Sequence, residues 1–132
     1  MLLQGLKVVE FASYIAAPGA AVVLADWGAE VVKVERPEGD PMRHVFGDAK
    51  SEIASNPTFG LDNRGKRAIV LDISKPEGRD ALARLAAQAD VFLTNVRPAA
   101  LKRAGLDEAA LRAANPRLIY AMVTGYGLEG PD

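Results

Sequence analysis

The sequence predicts an α/β protein built on an open, mainly parallel sheet with helices on both faces. Runs rich in β-branched and apolar residues alternate with helix-forming segments along the whole chain, the order of a sheet with crossover helices. The first two runs are joined by one short helical segment, so they must lie parallel, with a right-handed crossover. At 132 residues the chain has the length of one domain.

Each element follows from local signals. Residues 6–12 (LKVVEFA) make the first strand. Residues 16–27 are an Ala-rich helix stopped by Gly28. Residues 30–35 (EVVKVE) make the second strand, closed by Arg36-Pro37 because proline cannot continue a central ladder. Residues 38–66 show no clear periodicity and read as one long loop, of a length usually tied to function. Residues 68–73 are the third strand. Ser74-Lys75-Pro76-Glu77 has the form of a capping box, with Ser74 accepting from the Glu77 N–H. It opens a helix reaching Gln88 that sets Leu82, Leu85 and Ala86 on one face. Residues 91–95 (VFLTN) are the fourth strand. Residues 97–104 form a short helix ended by Gly105, and Asp107 caps another reaching Ala114. Residues 118–123 (LIYAMV) are the fifth strand and lead into Thr124-Gly125-Tyr126-Gly127. The chain stops soon after that turn, so it is expected to be the amino-terminal part of something longer.

Composition narrows the function. Lys and Arg number 16 against 17 Asp and Glu, and a net charge of -1 offers no footprint for nucleic acid or an anionic membrane. No apolar run reaches the ~18–20 residues of a membrane-spanning helix, and the opening MLLQGLKVVEF has no basic leader. The absence of Cys excludes disulfides, thiolate nucleophiles and Cys-based metal sites, and a lone His44 excludes a His-rich one. A soluble, cytoplasmic domain without a metal is expected.

In open α/β sheets ligands bind outside the carboxyl ends of the strands. That rule selects residues 13–17, Arg36, Asp72, Ile73, Ser74, Asn95, Val96, Arg97 and residues 125–127. A dinucleotide fingerprint is missing: the first turn reads SYIAAPG, without G-x-G-x-x-G, and Pro18 has no N–H for a pyrophosphate. Arg36 is a permanent cation at a strand end, either a solvated surface residue or a partner for phosphate or adenine. Arg97 and Arg103 form a second basic group, and Arg64, Lys66 and Arg67 a third. Three basic clusters on one rim suit a polyanionic small molecule; three solvated rims is the plainer alternative. His44 reads as a loop residue. Ser13, Ser51, Ser55 and Ser74 lack a nucleophile-elbow setting, and Asp72 reads equally as a turn residue. No catalytic constellation emerges.

The order of these pieces resembles a known family. Residues 6–11, Ala17-Pro18-Gly19 and residues 24–37 (LADWGAEVVKVERP) are similar to the opening of the class III CoA-transferases, which include formyl-CoA and carnitine CoA-transferases and the alpha-methylacyl-CoA racemases. The likeness continues through Gly39-Asp40, residues 63–67 (NRGKR), Leu71-Asp72, residues 89–91 (ADV) and 95–98 (NVRP). It ends with residues 115–120 (NPRLIY), 124–127 (TGYG) and Gly130-Pro131, and so spans essentially the whole chain. The resemblance implies that residues 1–132 are the amino-terminal part of a Rossmann-like, CoA-binding large domain. It implies CoA contacts at Ile15, Ala16, Arg36, Leu71, Asp72, Ile73, Ser74, Asn95, Val96, Arg97 and Arg103, with Arg36 at the adenosine-phosphate end. It also implies an acyl-CoA and a small carboxylic acid as substrates, and an interlocked homodimer for the full-length form. Ile15 stands where formyl-CoA transferases carry Gln. The family's catalytic Asp lies beyond the Gly-Pro turn, and the racemases' His and Asp pair lies there too. These 132 residues alone are therefore expected to be inactive, with transferase and racemase not separable from them.

Overall fold

The computed structural model describes residues 1–45 and 56–130. Its elements run β1 (Lys7–Phe11), α1 (Ala16–Asp26), β2 (Glu30–Glu35), α2 (Pro57–Asn63), β3 (Arg67–Val70), α3 (Pro76–Ala87), β4 (Val91–Thr94), α4 (Pro98–Ala104), α5 (Glu108–Ala114) and β5 (Ile119–Met122). A short 3-10 turn, Pro41–Arg43, follows β2. The strands lie in the order β3-β2-β1-β4-β5 and every pairing is parallel. The expected parallel α/β sheet is therefore the observed one. Chain order reverses between β1 and β4, and the crevice at such a switch point is where this architecture binds ligands.

Both faces are covered. On one, Val9, Phe11, Val34 and Phe92 pack against Leu82 and Ala86 of α3, Leu101 of α4 and Leu111 of α5. On the other, Val8, Val31, Val91 and Leu93 meet Ala17 and Ala21 of α1. Two fully buried alanines bring α1 close to the sheet, which sets its first turn beside the strand ends. Phe92 stacks on Tyr120, with ring centroids 5.4 Å apart, and burial pushes the Tyr120 hydroxyl up to about 12.

Three local expectations are corrected. The stretch 38–66 is not one loop, because α2 lies inside it, opened by Asn56, whose side chain accepts from the Thr58 and Phe59 N–H groups. The capping box does not form. Pro76 takes the first helical position, which proline favours, so Lys75 becomes the cap residue and Ser74 turns back to Asp72. Asp107 does stand at the start of α5 but its side chain makes no capping bond. Gly105 ends α4 as expected, in the left-handed conformation at φ 67°.

Candidate functional site

The turn after β1 is held from two sides. Asn95, just past β4, accepts the Ser13 N–H at 3.0 Å and donates back to the Ser13 carbonyl at 2.7 Å. Asp40, just past β2, accepts the Tyr14 N–H at 3.1 Å. Between these anchors Tyr14 sits at φ 69°, the one non-glycine residue with positive φ among the described residues. An L-residue there costs roughly 1–2 kcal/mol, so the anchors hold a conformation the turn would not choose. Ile15 and Ala16 follow, exposed, at the start of α1, which has neither a side-chain cap nor an acidic residue in its first turn.

Two clefts open along the carboxyl edge. The first, about 470 Å³, lies beyond β2 and β3, where Arg36, Arg79 and Arg103 surround Asp72, Ile73 and Ser74. Asp72 accepts the Ser74 hydroxyl at 2.6 Å and the Ser74 N–H at 3.0 Å. Those bonds, with Lys75 nearby, hold its carboxyl below the usual range. Arg79 donates to the Ile73 and Ser74 carbonyls at 3.2 and 2.9 Å and so fixes the wall of the cleft. Gly78 makes that wall possible: a Cβ there would lie 2.1 Å from the Asp72 carbonyl oxygen. Leu71 stands behind, half-buried against the apolar core.

The second cleft, about 550 Å³, opens at the switch point, with Ala16, Asn95, Val96, Arg97 and Thr124 in its lining. Thr94 ties its floor by donating to the Phe11 carbonyl at 2.7 Å and accepting the Val96 N–H at 3.1 Å. The structure thus brings Arg36 and Arg103 together and sets Arg97 apart, at the far end of α4 in the other cleft.

The third basic cluster does not join this rim, which corrects the expectation of three. Arg64 pairs with Asp26 at the end of α1, and Arg67, the first residue of β3, lies 3.5 Å from Glu30 at the opposite edge of the sheet. Lys66 turns inward. Its side chain is 2% exposed and its ammonium lies 2.6 Å from Glu10 Oε2 and 2.8 Å from the Pro18 carbonyl. Burial pulls its pKa down, against the pull of Glu10.

Lys66 belongs to a buried charge layer that sequence reasoning missed. Glu10 and Lys33 are paired residues of β1 and β2, and Lys33 Nζ lies 2.7 Å from Glu10 Oε1 and 2.8 Å from Asp40 Oδ2. The Lys66–Glu10 and Lys33–Asp40 contacts are ion pairs between buried side chains. Burial works to raise the Asp40 carboxyl, but Lys33 and the N–H groups of Met42 and Tyr14 outweigh it and the net shift is downward. Next to it, Glu35 accepts the Asp40 N–H at 3.0 Å and takes both ends of the Arg43 guanidinium at 2.7 and 2.8 Å. Arg43 above all holds the Glu35 carboxyl below its ordinary value. Arg43 also lies 3.8 Å over the Phe59 ring of α2, tying the turn after β2 to that helix. Charge inside otherwise apolar strands was the available signal.

His44 is exposed at the end of the 3-10 turn, and Ser74 is engaged by Asp72. Ser51, Ser55, Pro131 and Asp132 lie outside the described residues. Among the described residues no group of three or more His, Cys, Asp or Glu is placed to hold a metal, and no helix is long and apolar enough to cross a membrane.

The model of CoA-transferase family III matches residues 3–132. The chain is 43% identical to the cinnamoyl-CoA:phenyllactate CoA-transferase of Clostridium sporogenes, covering 99% of this chain and 32% of that protein. It is 44% identical to the (R)-2-hydroxy-4-methylpentanoate CoA-transferase of Clostridioides difficile, covering 99% and 33%. Among solved structures, a CAIB/BAIF family protein from Brucella suis superposes with a TM-score of 0.90 at 45% identity, over 98% of this chain and 35% of that one. The chain therefore spans about a third of the length of these relatives.

Proposed function

The chain belongs to CoA-transferase family III, and from that membership we propose that it is the CoA-binding part of an enzyme that moves CoA between an acyl-CoA donor and a carboxylic acid acceptor. The observation that carries the proposal is the uneven charge of the carboxyl edge. Arg36, Arg79 and Arg103 ring one cleft, while the cleft at the switch point has Arg97 and a more apolar wall. CoA is uneven in the same sense, with a phosphorylated adenosine at one end and an uncharged pantetheine arm at the other. The phosphates go to the arginine cleft, where guanidinium groups match them. The arm crosses toward Ala16 and residues 95–97. Asp72 and Glu38, in the first cleft, are acceptors for sugar hydroxyls, not for phosphate.

In this proposal residues 1–132 are the amino-terminal part of the large domain, and the full-length form is a cytoplasmic, interlocked homodimer. Covalent transfer needs a nucleophile presented to the thioester carbonyl with its charge stabilised nearby. Nothing in the two clefts is built that way, so these 132 residues bind CoA without turnover. The matched relatives carry transferase names, which favours transfer over racemisation.

Calorimetry with CoA and with NAD tests the proposal. CoA binds and NAD binds at least about tenfold more weakly, because the glycine fingerprint is missing. Equal affinity for both, or none for CoA, overturns it. Arg36→Ala weakens CoA by roughly 1–3 kcal/mol if the side chain makes a charge-assisted bond to phosphate. An unchanged affinity returns Arg36 to the solvated surface.

A further inference from the structure

We propose that Asp40 is a positioning residue for the ligand-facing turn 13–16, held in place from beneath by Lys33. The same oxygen of Asp40, Oδ1, accepts the Tyr14 N–H at 3.1 Å and the Met42 N–H at 2.9 Å. Its other oxygen lies 2.8 Å from Lys33 Nζ, and Lys33 is 1% exposed and bound in turn to Glu10. Lys33 also donates to the Ala12 carbonyl at 3.2 Å, the last residue before the turn. One buried ammonium therefore reaches both the start of the turn and the carboxylate that holds its middle.

The strain at Tyr14 gives this arrangement its purpose. Tyr14 is 52% exposed, so its side chain gains little from packing in the left-handed conformation. With the Asp40 bond removed, φ relaxes to negative values and the start of α1 swings with it, carrying Ile15 and Ala16. Asn95 fixes Ser13 but makes no bond to Tyr14 among the described residues, so it cannot replace Asp40. The Asp40 N–H also returns to Glu35 at 3.0 Å, and Arg36 lies between the two. Asp40 thus touches both turns, the one before α1 through its carboxylate and the one that carries Arg36 through its backbone N–H.

Amide hydrogen exchange on the whole chain, read residue by residue, tests this without any ligand. Asp40→Ala speeds exchange at residues 13 and 14 about tenfold, the scale of the left-handed penalty, while Val8 and Val9 in β1 stay protected. Asp40→Asn keeps the acceptor oxygen and the shape, retains more of the protection, and serves if the alanine variant does not fold. Adding Tyr14→Gly to either variant restores the turn, because glycine adopts positive φ without the anchor, and the rescue is read at the residue 13 N–H, which keeps its Asn95 acceptor. A rise spread equally over β1 and the turn, or no rescue by Tyr14→Gly, shows that Asp40 only stabilises the fold and overturns the proposal. CoA affinity is the second readout, and it rests on the CoA-site reading above: about tenfold weaker in Asp40→Ala and recovered with Tyr14→Gly. A parent chain that fails to bind CoA removes that reading and leaves the exchange result to decide this one.

Discussion

The two faces of the sheet are built from different materials. Toward α3, α4 and α5 the strands present Val9, Phe11, Val34 and Phe92, an apolar layer. Toward α1 the same strands present Glu10, Lys33 and Glu35 beside Val8 and Val31, since alternate residues share a face. Apolar burial is non-directional and tolerant of small shifts. Ionic contacts near 2.7 Å are directional, and burying them costs free energy unless every partner is in place. The apolar face therefore holds the layers together, and the charged face fixes where the turns stand. The turn holding Tyr14 and the turn carrying Arg36 are both tied to the charged side.

The largest expected effects break the comparison most directly. Leu82 is fully buried on the apolar face, and Leu82→Ala costs about 2–5 kcal/mol through lost burial and a cavity. Lys33→Met on the other face leaves Asp40 buried without its cation and Glu10 with only Lys66. It costs about 3 kcal/mol, the lower end for breaking a buried pair. Urea denaturation measures both. Affinity separates them, because folded Leu82→Ala binds CoA as the parent does while folded Lys33→Met binds more weakly. Equal losses of affinity in the two variants would mean that the faces do not divide the work in this way.

The same division explains what could be read from the sequence. The layers were legible because strand and helix periodicity report apolar burial, and β1, β2, β4 and their helices fall within a residue or two of their expected bounds. The rim positions Arg36, Asp72, Asn95 and Arg97 were legible from strand ends alone. The helix α2 was not, since none of its residues is buried and it leaves no apolar stripe. Its one signal was Asn56-Pro57, a cap followed by the proline that favours the first helical position. The charge layer escaped because Glu10 and Lys33 stand 23 residues apart, and only the parallel register of β1 and β2 makes them neighbours. Lys66 misled for the same reason. Read beside Arg64 and Arg67 it is one of a basic cluster, while in the fold it turns inward alone. Gly78 and Arg79 show a third kind of gap, a contact between a helix's first turn and the loop before it.

Gly78→Ala is the next expected effect and tests the wall of the arginine cleft. A Cβ 2.1 Å from the Asp72 carbonyl oxygen cannot be accommodated, because the neighbour is backbone. Either α3 or the segment 72–74 must move, at about 1–3 kcal/mol for a forced contact. Thermal denaturation reads the loss, and amide chemical shifts at Asp72 to Ser74 read the displacement. A stable variant with unmoved shifts would show that α3 does not press on this wall.

The smallest effect is a pH dependence belonging to the charged face. The Glu35 carboxyl is held below its ordinary 4.5, first by the hydrogen bond from Arg43 and then by the Asp40 N–H. The Asp40 carboxyl lies below its ordinary 3.8 because Lys33 and two backbone N–H groups outweigh the opposing pull of burial. For groups depressed in the folded state, the unfolded chain binds more protons as acid is added, so stability falls as pH falls. The contribution is complete above the ordinary values and begins to fade near pH 4.5 for Glu35 and pH 3.8 for Asp40. It is lost once the pH drops through the folded-state values. Arg43 is 42% exposed, so solvent screens part of its pairing with Glu35 and the effect stays small. Urea midpoints taken between pH 7 and pH 3 test this. Glu35→Gln flattens the acid limb, whereas Leu82→Ala lowers the whole curve without changing its slope. An acid limb as steep in Glu35→Gln as in the parent would place the titrating groups elsewhere and deny the charged face this part in stability.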